Sequence, residues 1–278
     1  MKAVGNIKRI TRTMQMIATS KFARAQQAAV AGKPFNQALN DLVGQLTAAA
    51  GDDASHPLLK PANPSAPALT LIITSDRGLC GPYNGSVIRL ALSYLRKLDN
   101  TGRVEVVGKK GAGALKFSKV AVKAQHTQFG DKPGYADVQR LADQFIDAFT
   151  AGEVSSVTIV SMRYLSAGSQ KAEVRQLLPF DAASGSGEGA SAGGAYEFSP
   201  DAETLLGSLL PAAVRSLLFQ SFNDAVVSEH VARMIAMKAA TDNAGKMGHA
   251  LKRKFNRVRQ TQITTELTEI ISGAAALE

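Results

Sequence analysis

ALTLIITSDRGLCGPYNG, residues 68 to 85, is the stretch on which the fold turns. ALTLII (68–73) has the length and apolar density of a buried strand, and NGSVIRLALSYLRKLDN (84–100) has the spacing of an amphipathic helix. Between them TSDRGLCG (74–81) passes the chain through glycines, an arrangement that often holds a phosphate at a helix N-terminus. A Walker loop, however, needs Gly-Lys followed by Ser or Thr, and the dinucleotide fingerprint needs GxGxxG. Neither is present: Gly78, Gly81 and Gly85 are three and four residues apart, and Pro82 removes an amide that a phosphate would use. The stretch therefore reads as a tight structural turn built on Asp76, Arg77, Gly78 and Gly81. Its glycines would supply positive φ, and Asp76 or Asn84 would cap the helix that follows. No cofactor is expected.

Outward from this turn the pattern repeats. VEVVG (104–108) reads as a second strand, GYADVQRLADQFIDAFTAG (134–152) as a helix and SSVTIVSMRYL (155–165) as a strand. AEVRQLLP (172–179) closes the series as an edge strand. Strands alternating with helices imply a mostly parallel α/β sheet, here a domain over residues 68–198. Upstream, HPLLKPANPSAPA (56–68) carries four prolines and reads as a linker. Downstream, DAASGSGEGASAGGA (181–195) reads as a low-complexity surface loop.

The two ends differ from the middle. Residues 1–55 are rich in helix formers, and Ile7, Ile10, Met14 and Ile17 step by three, four and three, as in a coiled-coil seam. Residues 200–278 are helical again, with Pro211 expected near a helix start or a kink. Near the end Ile263, Leu267, Ile270, Ala274 and Leu277 repeat a heptad spacing. At 1.5 Å per residue, some 65 residues would reach roughly 95 Å, too far to lie against a domain of ordinary size. The economical solution pairs the two terminal helices as an antiparallel rod projecting from the globular middle.

Composition narrows the chemistry. The chain has 278 residues, a net charge of +9 and one cysteine, Cys80, so neither an intrachain disulfide nor a cysteine-rich metal site can form. His56, His126, His230 and His249 are scattered without ligand or catalytic spacing, so no metal and no catalytic residue is expected. The first 40 residues contain seven basic residues and no acid, and Lys246 to Arg259 contains six more. Such ends imply an acidic partner. A transit peptide shares that composition, but a removable leader has no reason to carry a heptad seam matched at the far end of the chain. No apolar run approaches the length of a membrane span.

Taken together, ITRTMQMIATSKFARAQ (10–26), TSDRGLCGPYNG (74–85), ARMIAMKAATDNAGKM (232–247) and RQTQITTELTEIISGAAAL (259–277) resemble the gamma subunit of the F-type ATP synthase over nearly the full chain. The resemblance implies an antiparallel coiled coil of the terminal helices beside a Rossmann-like α/β domain that binds no nucleotide. It implies a non-catalytic, central-stalk rotor that carries rotation of the membrane c-ring into the catalytic hexamer. Partners would be the alpha and beta subunits, the epsilon subunit and the c-ring, with no direct membrane insertion and no nucleic acid. The place implied is the cytoplasmic face of a bacterial inner membrane or the equivalent face in an organelle. Carried over residue by residue, Met14 matches a position that meets an acidic beta loop, with Lys21 one to two turns further along the same helix. Arg233 and Gln260 match positions that contact beta catch loops, with Thr264 and Glu266 close behind as expected partner contacts, while Asp76, Arg77 and Gly78 match a turn near the foot.

The chain departs from the family in four respects. Met1 already lies inside a helix that elsewhere starts further upstream, which implies either a short lower coiled coil or a misplaced start codon. Gly81 is followed by proline where a second glycine is common. The 181–195 loop is long, and the paired cysteines of the redox-controlled chloroplast form are absent. Two other functions compete with this reading. An α/β nucleotide-using enzyme with helical arms would require the phosphate loop that is missing. A nucleic-acid-binding coiled-coil scaffold would want aromatic residues among the basic ones, yet Trp is absent and Phe22 is the only aromatic in the first 33 residues.

Overall fold

The structure, a computed structural model, describes residues 2–50, 56–60, 63–98, 102–181 and 202–275. The elements in chain order are α1 (Lys2–Ala50), β1 (Leu69–Ile73), α2 (Tyr83–Lys97), β2 (Arg103–Val107), α3 (Lys109–Phe117), β3 (Ala124–His126), α4 (Tyr135–Thr150), β4 (Val157–Ser166), β5 (Ser169–Leu178) and α5 (Ala202–Ala275).

A five-stranded sheet has the order β3-β2-β1-β4-β5. The first four strands are parallel, and β5 runs antiparallel to β4 on the edge. Strand side chains alternate between faces, and the sheet is covered on both. Ile72, Val104, Val106 and Val160 pack under α2 and α3, with Val87, Leu95 and Leu115. Leu69, Leu71, Ile73, Val157 and Ile159 face the other way, toward Phe145 and Phe149 of α4 and toward both long helices. Burial on both faces explains why β1 reads as a continuous apolar run.

The sequence reading passed over two elements, α3 and β3. The α3 sequence KKGAGALKF has two glycines and a short apolar stripe, and β3 has only three residues, paired with β2 alone. Both are formed by their neighbours rather than by local pattern. The expected linker is also more than a tether: Leu58 is buried in the main core and its carbonyl accepts the Phe180 amide at 2.8 Å. The low-complexity loop lies, except for Asp181, outside the described residues.

Pro211 lies inside α5 rather than at a start, nine residues after Ala202. Leu206 and Leu210 on the turns before it are fully packed, which offsets the backbone bond that proline cannot make. One window of α5 is apolar enough to cross a membrane by length and composition alone, but half of it is buried within the fold, as in a core helix.

The long helices pair antiparallel in a single register. Thr241 Oγ1 donates to Thr11 Oγ1 at 2.8 Å, and Ser216 bonds Asn36, so the same 25-residue interval separates the two contacts on each helix. The seam, however, lies one residue away from the expected one. Ala18, Ala29, Leu39, Val43 and Leu46 are buried along α1, whereas Ile7, Ile10 and Ile17 are exposed. Small residues let the helix axes approach closely, and that contact overrides the hydrophobicity pattern.

The start of α1 meets α5 at Gly245 and Gly248, and beyond residue 250 α5 has no helical partner among the described residues. Its residues 251–275 form a solitary helix about 38 Å long. Ile263, Leu267 and Ile270 are exposed there and do not pair with α1; Ala274 and Leu277 are not covered by the description of side chains. The start of α1 thus lies at the end of the rod away from the sheet, not in its lower part.

Candidate functional site

The central turn directs its hydrogen-bonding groups at its own chain. Asn84 does not cap α2; its side-chain oxygen accepts the Ser75 amide at 3.1 Å, and Pro82 stands at the N-cap with no side-chain acceptor to offer. Asp76 caps α3 instead, accepting the Lys109 amide at 3.0 Å. The Gly111 amide goes to Thr74 Oγ1 at 2.9 Å and the Lys110 amide to the Ser75 carbonyl at 3.1 Å. A phosphate at the start of α3 would find these amides taken and a carboxylate in place. Positive φ occurs at Gly81 but also at Leu79, and not at Gly78. Cys80 is buried, with Asn84 Nδ2 at 3.2 Å from its sulfur.

Leu79, held in the left-handed region by this turn, projects an exposed side chain toward the rod. Here the turn meets both long helices and the loop before α4. Met14, Lys21, Arg77, Gly78 and Arg233 line one groove with Asp131 and His230. The structure thus joins residues that the sequence separated into partner contacts and turn. Lys21 is ion-paired with Asp131, and Arg77 approaches the same carboxylate at 3.8 Å. Arg233 pairs with Glu229 at 2.7 Å and donates to the carbonyls of Arg77 and Gly78, each at 3.4 Å. Its side chain is only 11% exposed.

Burial and charge tune these groups differently. Partial burial works against the Asp131 carboxylate, but the hydrogen bond and charge of Lys21, with Arg77 behind, hold its pKa below the usual range. Burial raises that of Glu229, and Arg233 offsets only part of the effect. His230 is driven down to about 4, chiefly by burial, and its Nδ1 has no hydrogen-bond partner.

Gln260, Thr264 and Glu266 are elsewhere, on the solitary part of α5. All three are exposed, and the Thr264 hydroxyl donates to the Gln260 carbonyl of its own helix, at 2.9 Å. They share that surface with Arg257, Arg259 and the apolar Phe255, Val258, Ile263 and Leu267. Sequence reasoning missed Asp131, Glu229 and His230. The i,i+4 spacing of EHVAR (229–233) signalled the Glu229–Arg233 pair. Nothing local marks Asp131, which sits in the loop FGDKPG (129–134) and meets Lys21 only through the fold. Among the described residues no cluster of three or more His, Cys, Asp or Glu side chains could hold a metal ion.

A doubly wound domain whose α3-start amides are engaged within the chain, braced against a two-helix rod that ends in a helix uncovered among the described residues, defines a shaft-bearing structural subunit. The family model described as ATP synthase matches residues 1–277. The chain belongs to the ATP synthase gamma-chain family. It is 38% identical over 285 residues to the ATP synthase gamma chain of Rhodopirellula baltica, covering 100% of this chain and 96% of that one. It is 37% identical to that of Leptospira biflexa, covering 99% and 96%. A chain of the Euglena gracilis mitochondrial ATP synthase has the same fold at a TM-score of 0.64 and 19% identity, covering 99% of this chain and 92% of that one. A chain from the central stalk and c-ring of the Tetrahymena thermophila enzyme matches at 0.60 and 20%, covering 84% and 99%.

Proposed function

We propose that the chain is the central-stalk rotor of an F-type ATP synthase, turning with a membrane c-ring and driving the catalytic sites of an alpha/beta hexamer in sequence, with no active site of its own. The observation that carries this reading is the solitary helix 251–275, which stands clear of the fold with a mixed apolar and basic surface. An uncovered apolar helix calls for an enclosing partner, and a partner in which it turns should offer many weak contacts. Exposed ion pairs, worth about 0–1 kcal/mol each, break and reform easily, which suits basic residues facing acidic loops of a collar.

Gln260, Thr264 and Glu266 are the collar contacts on this helix in the reading. Met14 with the exposed Ile17 and Leu79 forms a second, lower contact rim. Lys21 and Arg233 border that rim, with their charged ends already engaged inside the chain. The sheet end of the molecule would stand beside epsilon and on the c-ring. As a gamma chain it is part of a membrane-associated complex; the face we propose is the cytoplasmic one of a bacterial inner membrane, or its organelle equivalent.

The test is co-expression with alpha, beta and epsilon subunits followed by purification and ATPase assay. A complex with one copy of this chain, and ATPase that depends on it, is the expected result. A chain that stays apart from alpha and beta removes the reading.

A further inference from the structure

We infer that Asp131 and Arg233 are positioning residues: together they clamp the rod to the α/β domain and fix the angle at which it leaves. The functional consequence rests on the rotor reading; the clamp itself does not. Rod and domain meet in two ways. They share an apolar core, with Val43 and Leu46 from α1 and Leu210 and Val214 from α5 packed on the sheet, and it extends to the C-terminal ends of the strands, where Phe222 meets Phe129 at a centroid distance of 4.5 Å. Apolar burial resists separation but is non-directional, so it leaves small rotations of one body on the other inexpensive. Beyond Phe222, where the rod leaves the C-terminal ends of the strands, a set of charged side chains adds contacts that are geometrically specific.

There Asp131, on the loop before α4, holds Lys21 of α1. Arg233 of α5 holds the turn after β1 by two of its carbonyls and is itself held by Glu229. Arg77 links the two halves, because its side chain reaches Asp131 while its carbonyl accepts from Arg233. Both helices of the rod are therefore tied to the domain at different points, within one connected set of charges. The set lies where the rod departs: Gly81 still approaches Ala232 and Ala236, and further along α5 the next neighbours are Thr11, Lys8 and Val4 of α1. A twisting load between domain and rod must cross this joint. The Arg233 guanidinium is then engaged within the chain, and replacing it alters the rod's angle rather than deleting a contact with a collar.

The test uses the full-length chain with spin labels on Lys97→Cys in α2 and Asp242→Cys in α5, both exposed and remote from the clamp. Pulsed electron–electron distance measurements read the angle between the bodies. The parent should give one narrow distribution, and Asp131→Asn and Arg233→Gln should each broaden it at least two-fold with helical circular dichroism retained. Asp131→Glu should restore the narrow distribution, and Gln260→Ala should leave it unchanged. An unbroadened distribution in both variants overturns the proposal. So does a glutamate variant as broad as the asparagine one, or loss of helical signal in Asp131→Asn, which would make Asp131 a folding residue. In membranes holding the assembled complex, Asp131→Asn should lower ion pumping per ATP hydrolysed more than hydrolysis itself. If the parent chain fails to assemble with alpha and beta, the rotor reading falls while the distance measurement still decides the clamp.

Discussion

At Gly108 the backbone turns from β2 into α3 with φ 90°, and a Cβ there would lie 2.3 Å from the Thr74 carbonyl oxygen. The left-handed conformation costs about 1–2 kcal/mol for any other residue, and overpacking adds about 1–3. Gly108→Ala should therefore destabilise the domain by about 2–5 kcal/mol, measured by denaturant unfolding followed at the α/β domain. His230 makes a prediction in pH. Its environment consists of Lys21 from α1, Asp131 from the α4 loop and Arg233 on its own helix, and its pKa is held at about 4. In the unfolded chain it titrates near 6.5. As pH falls from about 6.5 toward 4, the unfolded state takes up a proton that the folded state refuses, so stability is lost across that window. Glu229, with its pKa raised, works the other way, because the folded state takes up its proton more readily as pH falls. The urea midpoint should thus drop between pH 7 and pH 5, and His230→Gln should flatten or reverse that slope; an equal drop in the variant would exclude His230 as the cause. None of this is legible locally: Gly108 looks like any strand-ending glycine, and His230 like a surface residue of a basic helix.

Among the elements, the paired helices show how a correct periodicity can point to the wrong face. The isoleucines at 7, 10 and 17 carry the strongest apolar signal, yet the partner helix is met by Thr11, Ala18 and Ala29. Nearer the sheet the seam turns polar: Asn36 bonds Ser216 and donates to Gln220 at 3.2 Å, and Gln220 donates to Asp224 at 2.9 Å. Such a set is satisfied in one register only, so it opposes sliding of the helices. Asn36→Ala leaves Ser216 and Gln220 short of a partner and should cost about 1–3 kcal/mol, seen as a lower thermal midpoint of the rod's helical signal. The strands were legible because a sheet buried on both faces writes its burial into consecutive apolar residues. The missing pair, α3 and β3, wrote almost nothing, because Gly111 is chosen for closeness to Thr74 and β3 for a place beside β2.

For the whole molecule, the register of the long helices decides how much of α5 is left uncovered. Residues 251–275 make no contribution to the core, so a chain ending at Leu251 should keep its unfolding transition within about 0.5 kcal/mol, as for surface changes away from packed features. The same truncation should reduce the ATPase of the reconstituted complex. A large loss of stability would mean that the free helix packs on the chain in solution.

The sequence by itself determined the class of fold, the two terminal helices, the turn without a phosphate loop and the family, because these rest on local periodicity, on residue types and on motifs that survive as strings. Only the tertiary structure decided which face of α1 meets α5, how far the rod remains double, and that Lys21, Asp131, Arg77 and Arg233 stand together. Each of those depends on the register between segments 110 to 230 residues apart in the chain. Register is set by the sum of many contacts, small side chains and polar pairs included, and no short stretch of sequence contains that sum.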